Sequence, residues 1–237
     1  MSQHLSEIIT PHSEPTPIVR PVLEPGDNLT RHEFERRYLA RPDIKKAELI
    51  EGVVYTPSPV HAKRHREPHA SIVTWLGLYQ ALTFGVQLLD NATVRLDLDN
   101  EPQPDALLRI EPSVGGRSHI SEDDYIEGVP ELIVEIAASS VSYDLHDKLH
   151  AYRRNSVQEY IVWRVDDKQI DWFQLVEGNY VRMEPSESHV TQSQGFPGLR
   201  LAVQALLDGD LAKVLAEQQK GFGTTEHTTF IERLRGK

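Results

Sequence analysis

Apolar positions recur at two different spacings along this chain, and the spacings mark its elements. Ile72, Trp75, Leu76, Tyr79 and Leu82 recur at helical spacing and predict a helix over 69–85, with Gly85 suited to end it. Leu145, Leu149 and Tyr152 mark one face of a helix predicted over 142–155. Thr30 followed by Glu33 reads as a capping box, with Leu29 and Phe34 as its hydrophobic staple, so a short helix starts there and ends before Pro42. A last helix is predicted over LAVQALLDGDLAKVLAEQQ, weakened near Gly209.

β-rich runs alternate with these helices. AELIEGVVYTP, 47–57, reads as a hairpin about Glu51-Gly52, and IDWFQLVEGNYVRM as a second turning at Glu177-Gly178-Asn179. Further strands are predicted within 86–98, over 102–110 after Pro104, over 131–137 and over 159–165, with 111–130 loop-like. Strand 131–137, helix 142–155 and strand 159–165 have the length of a right-handed crossover. The fold class is α/β (α+β), with a mixed central sheet. Residues 1–26 read as a Pro-rich tail, 27–220 as one domain and 221–237 as a frayed C-terminal tail.

Composition narrows the class. Of 237 residues, 39% are hydrophobic and 26% charged, as in a soluble globular protein. No apolar run approaches the roughly 20 residues of a membrane span, and no signal peptide is visible. The absence of cysteine excludes disulfides and thiolate zinc sites and fits a cytoplasmic protein. A net charge of −11 argues against broad, nonspecific adhesion to nucleic acid or anionic membrane. It leaves room for a carboxylate site that meets phosphate through a divalent cation.

Candidate chemistry begins in ELIVEIAASS, 131–140. Glu135 stands among Leu132, Ile133, Val134 and Ile136, where a carboxylate is costly unless paired. Asp105 follows Pro104 at the mouth of another strand, and Lys148 lies on the helix that follows Glu135. Two carboxylates holding Mg²⁺ beside a lysine can hydrolyse a phosphodiester, but a protein of this size holds many such trios by chance. The bland alternatives are a solvent-facing Glu135, a strand-start Asp105 and a Lys148 paired to Asp144 on a helix surface. His61, His65 and His69 recur every four residues, yet Pro68 interrupts a helix through all three. They read as a solvated loop, as does the basic cluster KRHR at 63–66.

VPELIVEIAASSVSYDLHDKLHAYRRNSVQEYIVW resembles the signature of a bacterial family of restriction-endonuclease-like proteins, the Uma-two family of the PD-(D/E)XK phosphodiesterase superfamily. The matching residues are Pro104-Asp105, Glu135, then Asp144, Lys148 and Tyr152, and Glu159-Tyr160 on the next strand. Upstream, AELIEGVVYTPSP places Glu48 and Gly52 as in the family's first hairpin, His69 matches its histidine, and GFPGLRLAVQALL fits its end. The likeness spans roughly residues 30–215.

The resemblance implies a restriction-endonuclease-like mixed β-sheet flanked by helices. It implies Asp105 and Glu135 as ligands of Mg²⁺ (or Mn²⁺), with Lys148, Glu48 and His69 as catalytic residues. DNA is the implied substrate, and a homodimer would lengthen the groove that meets it. The superfamily lysine usually stands two residues after the strand acid. That place is Ala137 here, so Lys148 takes the role. Two alternatives stay open: a non-catalytic binding or regulatory protein on the same scaffold, and a metal-dependent hydrolase of another substrate.

Overall fold

The computed structural model describes residues 21–56, 65–138, 140–186 and 188–236. Its centre is a six-stranded mixed sheet. The strands are β3 (Val86–Asp90), β5 (Ala106–Ile110), β8 (Leu132–Ala137), β9 (Glu159–Arg164), β10 (Gln169–Val176) and β11 (Asn179–Arg182), in the order β11-β10-β9-β8-β5-β3. Only β8 and β9 run parallel within it. The connection between them carries two helices, α3 (Val141–Leu145) and α4 (Asp147–Arg154), as a parallel pair requires.

Alternation along β8 sends side chains to two covered faces. Leu132, Val134 and Ile136 join one core with Trp75, Trp172 and Phe196. The helices α2 (Glu67–Leu82), α5 (Val203–Leu207), α6 (Leu211–Phe222) and α7 (Thr225–Leu234) cover that face. Ile133 and Ala137 join the other, with Tyr152, Val157, Tyr160 and Val162. This second face lies under α3 and α4, beside a small sheet of β4 (Val94–Arg95), β6 (Ser118–Ile120) and β7 (Ile126–Gly128). Helix α1 (Arg31–Leu39) packs on the hairpin β1 (Glu48–Ile50) and β2 (Val53–Tyr55) through Phe34, Leu49 and Val54. A last hairpin joins β12 (Val190–Gln192) to β13 (Arg200–Ala202).

Several sequence expectations change. The helix expected over 142–155 divides at His146 (φ −122°, ψ −76°) into α3 and α4. The loop-like 111–130 holds a 3-10 turn at Pro112–Val114 and the strands β6 and β7. The end expected to fray from Gly221 forms α7, because Phe230 and Leu234 bury against the main core. Residues 1–20 of the expected tail lie outside the described residues, and Leu23, within its remainder, is buried against Phe34 and Leu49. Thr30 precedes α1 but makes no side-chain cap bond, and Glu33 binds Arg36 and Arg37 instead. Among the described residues no helix is long and apolar enough to cross a membrane.

Candidate metal centre

The sheet register brings the strand acids together. In the antiparallel pair β5–β8, Ala106 faces Val134, so one step further sets Asp105 opposite Glu135. By alternation, Glu135 shares the face of Ile133 and Ala137, and Asp105 that of Leu107. The two acids thus meet where β5 begins, beside the interior of β8.

Lys148 reaches this place from α4. Its Nζ donates to Glu135 Oε1 at 2.8 Å and to Glu48 Oε1 at 2.9 Å, and stands 3.9 Å from Asp144 Oδ1. Tyr152, one turn on, donates its hydroxyl to Glu135 Oε1 at 2.8 Å. Glu48 arrives from β1 and also accepts the Gln103 amide at 2.7 Å. Asp105 Oδ2 accepts the Ile136 amide at 2.7 Å, and its Oδ1 lies 3.1 Å from His65 Nε2. Lys148 and Glu135 are each only 3% exposed, so the ammonium is a buried counterion rather than part of a helix-surface pair.

This charge distribution is uneven. One ammonium faces the three carboxylates of Glu48, Glu135 and Asp144, leaving two negative charges in excess if all ionise. Burial pushes Glu135 up to about 8 despite the attraction of Lys148, with Asp105, Asp144 and Glu48 adding to the rise. Burial likewise raises Asp144 to about 6. For Lys148, burial opposes the charge, but Glu135, Glu48 and Asp144 outweigh it and hold the pKa above the ordinary lysine value. Asp105 goes the other way. Burial opposes its ionisation, yet the His65 bond, Lys46 and the Ile136 amide together keep its pKa low.

Of the site residues predicted from sequence, Glu48, Glu135 and Lys148 are in direct contact, and Asp105 stands in register beside Glu135. His69 lies one step out. Its Nε2 is 2.8 Å from Asp90 Oδ1 and 3.0 Å from the Asp105 backbone oxygen, so it touches Asp105 through the main chain. His65, expected from sequence in a solvated loop, contacts Asp105 and stacks on His69 at 5.9 Å. Pro68 lies in the first turn of α2, where it is tolerated, so His65 just precedes the helix and turns toward β5. His61 and the first residues of KRHR lie outside the described residues.

Among the described residues no three His, Asp or Glu side chains form a ready-made metal-binding set. The donors nevertheless fit a hard divalent cation of the Mg²⁺ kind. That ion takes oxygen ligands, needs only one or two carboxylates, and fills its remaining places with water and substrate phosphate. The adjacent acids Asp105 and Glu135, in a cluster short of positive charge, meet that requirement.

A mixed sheet with helices on both faces, and with acids and a lysine gathered where its central strands end, defines a restriction-endonuclease-like fold. The model of the Uma2 family, described as "Putative restriction endonuclease", matches residues 31–204, and the chain belongs to that family. A similar solved structure is titled as that of a "putative nuclease belonging to DUF820" from Anabaena variabilis. The match has a TM-score of 0.54 at 14% identity and covers 69% of this chain and 90% of that one. At that identity the likeness is one of fold. No curated protein matches the chain.

Proposed function

We propose that the protein is a divalent-metal-dependent nuclease of the cytoplasm that hydrolyses DNA phosphodiesters. One observation carries the reading: the Lys148 ammonium is buried between Glu135 and Glu48, carboxylates from two different elements, with Asp105 in register beside the first. Family membership supports the same class of activity.

Mg²⁺ or Mn²⁺, held by Asp105 and Glu135, would neutralise phosphate charge and lower the pKa of a bound water. The protein's own residues do the rest. Lys148 presents a fixed ammonium, held in place by Glu48, to the phosphoryl oxygen on which negative charge builds. Tyr152 fixes the rotamer of Glu135, and the Ile136 amide fixes Asp105. His69 bonds the Asp105 main chain and steadies that strand end. Water adds to phosphorus, one P–O ester bond breaks, and no covalent enzyme intermediate forms. In this reading two copies of the chain pair to extend the DNA-contacting surface.

The test is cleavage of plasmid and linear DNA in Mg²⁺ or Mn²⁺ by wild type, Glu135→Ala and Lys148→Ala, with folding checked by circular dichroism. Wild type cleaves, and each variant loses about a hundredfold or more, as when one transition-state donor is removed. Equal rates in all three identify a contaminant and end the reading. A second reading, a non-catalytic DNA-binding scaffold, draws on Ala137 at the usual lysine place and on the burial of Lys148. Metal-independent DNA binding without cleavage by any of the three proteins is its signature.

A further inference from the structure

Tyr143 on α3 borders the charged cluster without being bonded into it. Its ring lies 4.1 Å from that of Tyr55, and the Lys148 Nζ stands 5.2 Å from its centroid. Glu48, Lys148 and Glu135 all lie close enough to act on it electrostatically. Tyr55 is satisfied, since its hydroxyl donates to Asp147 Oδ2 at 3.0 Å. The Tyr143 hydroxyl is shut off from solvent and has no hydrogen-bond partner among the described residues. Among the described residues the other buried side-chain atoms in that condition belong to Arg31, Gln87, Glu101, Arg109 and Ser118, none of which joins the cluster.

A buried hydroxyl without a partner is destabilising, and native proteins keep few of them. Beside a buried ammonium, such a group is suited to an anionic guest. It donates, adds no charge of its own in its neutral form, and leaves the carboxylates to Lys148 and Tyr152. The guest must bring an acceptor oxygen to within reach of both Lys148 and Tyr143. A phosphodiester does so, having two non-bridging oxygens on one phosphorus that share one negative charge. Lys148 is only 3% exposed and the Tyr143 hydroxyl is likewise closed to solvent, so a phosphate must reach both from the cleft they border.

We propose that the Tyr143 hydroxyl is a phosphate-contacting donor, hydrogen-bonding an anionic oxygen of the DNA phosphodiester engaged by Lys148. This rests on the nuclease reading of the site. The contact is a hydrogen bond alone, with no covalent step and no proton transferred.

Tyr143→Phe removes the hydroxyl and keeps the ring over Lys148 and against Tyr55. Three quantities are compared with wild type: ligand-free melting temperature, binding of a short duplex DNA in Ca²⁺ followed by fluorescence anisotropy, and cleavage of the same duplex in Mg²⁺. The variant is expected to melt at the wild-type temperature or above, because no bond among the described residues is lost. Its duplex affinity falls on the order of tenfold or more, the scale of a hydrogen bond to a charged group. The proposal is overturned if the variant binds the duplex as tightly as wild type, if wild type does not bind it, or if the variant melts clearly lower. The last result would mean that the hydroxyl is bonded within the folded protein. Failure of the underlying reading looks different: if wild type binds but does not cleave while Tyr143→Phe binds more weakly, the contact stands and the nuclease assignment falls. If wild type cleaves and the variant binds and cleaves normally, only the contact falls.

Discussion

Lys148 and Glu135 show what a residue's neighbours add to its identity. A strand acid among apolar residues reads equally well as a solvent-facing side chain, because alternation supplies two faces and does not say which is wet. Here both faces are covered, so Glu135 is enclosed and its charge depends on Lys148. Residue types and spacing allow many trios like Asp105, Glu135 and Lys148, and it is the family resemblance that singles this one out. The four-residue spacing of the histidines is a local signal for His65 that Pro68 argues against, and nothing local signals Tyr143; their places depend on where α2 starts and on the break before α4. The enclosure has a consequence for stability. Burial raises the Glu135 pKa to about 8 and that of Asp144 to about 6, well above their ordinary values. Between those ordinary values and the raised ones, these two groups bind more protons in the folded chain than in the unfolded one, so their contribution to stability falls as pH rises. In metal-free buffer, the melting temperature of wild type is expected to drop from pH 5 to pH 8 more steeply than that of Glu135→Gln. Parallel pH profiles would show that Glu135 is not the group responsible.

At the scale of elements, the strands were legible because β-rich runs are separated by turn residues. The second hairpin turns where Glu177 and Gly178 adopt positive φ, as its sequence implies. The helix ends were less legible, since tertiary partners override local caps: Glu33 serves two arginines rather than its own helix start. The turn at His146 is tertiary too, and it leaves Lys148 and Tyr152 together under β8 with both side chains on Glu135. On the opposite face, α6 closes on the loop before β13 at Gly221, where an added Cβ would come 1.9 Å from the Gly198 carbonyl oxygen. Gly221→Ala must push the two apart and is expected to destabilise the protein by about 1–3 kcal/mol, as overpacking does. Thermal unfolding measures the loss. Cleavage per folded molecule is expected to hold, since α6 and the acids lie on different faces of the sheet. An unchanged melting temperature would show that the helix and loop yield without strain.

Across the whole molecule, one face of the sheet builds the larger apolar core and the other gathers the charge. Asp105, Glu135 and Lys148 come from a strand start, a strand interior and a helix, and only the β5–β8 register and the return of α4 bring them together. Sequence spacing alone leaves that convergence undetermined, because 31 residues separate Asp105 from Ile136, whose amide it accepts. The net charge of −11 makes phosphate an improbable neighbour unless a cation intervenes. The most direct measurement is a Mn²⁺ titration followed by electron paramagnetic resonance on wild type, Asp105→Asn and Glu135→Gln, all confirmed folded. One saturable site in wild type, weakened tenfold or more in both variants, is the predicted result. Equal Mn²⁺ binding by all three proteins, or none by wild type, would contradict it.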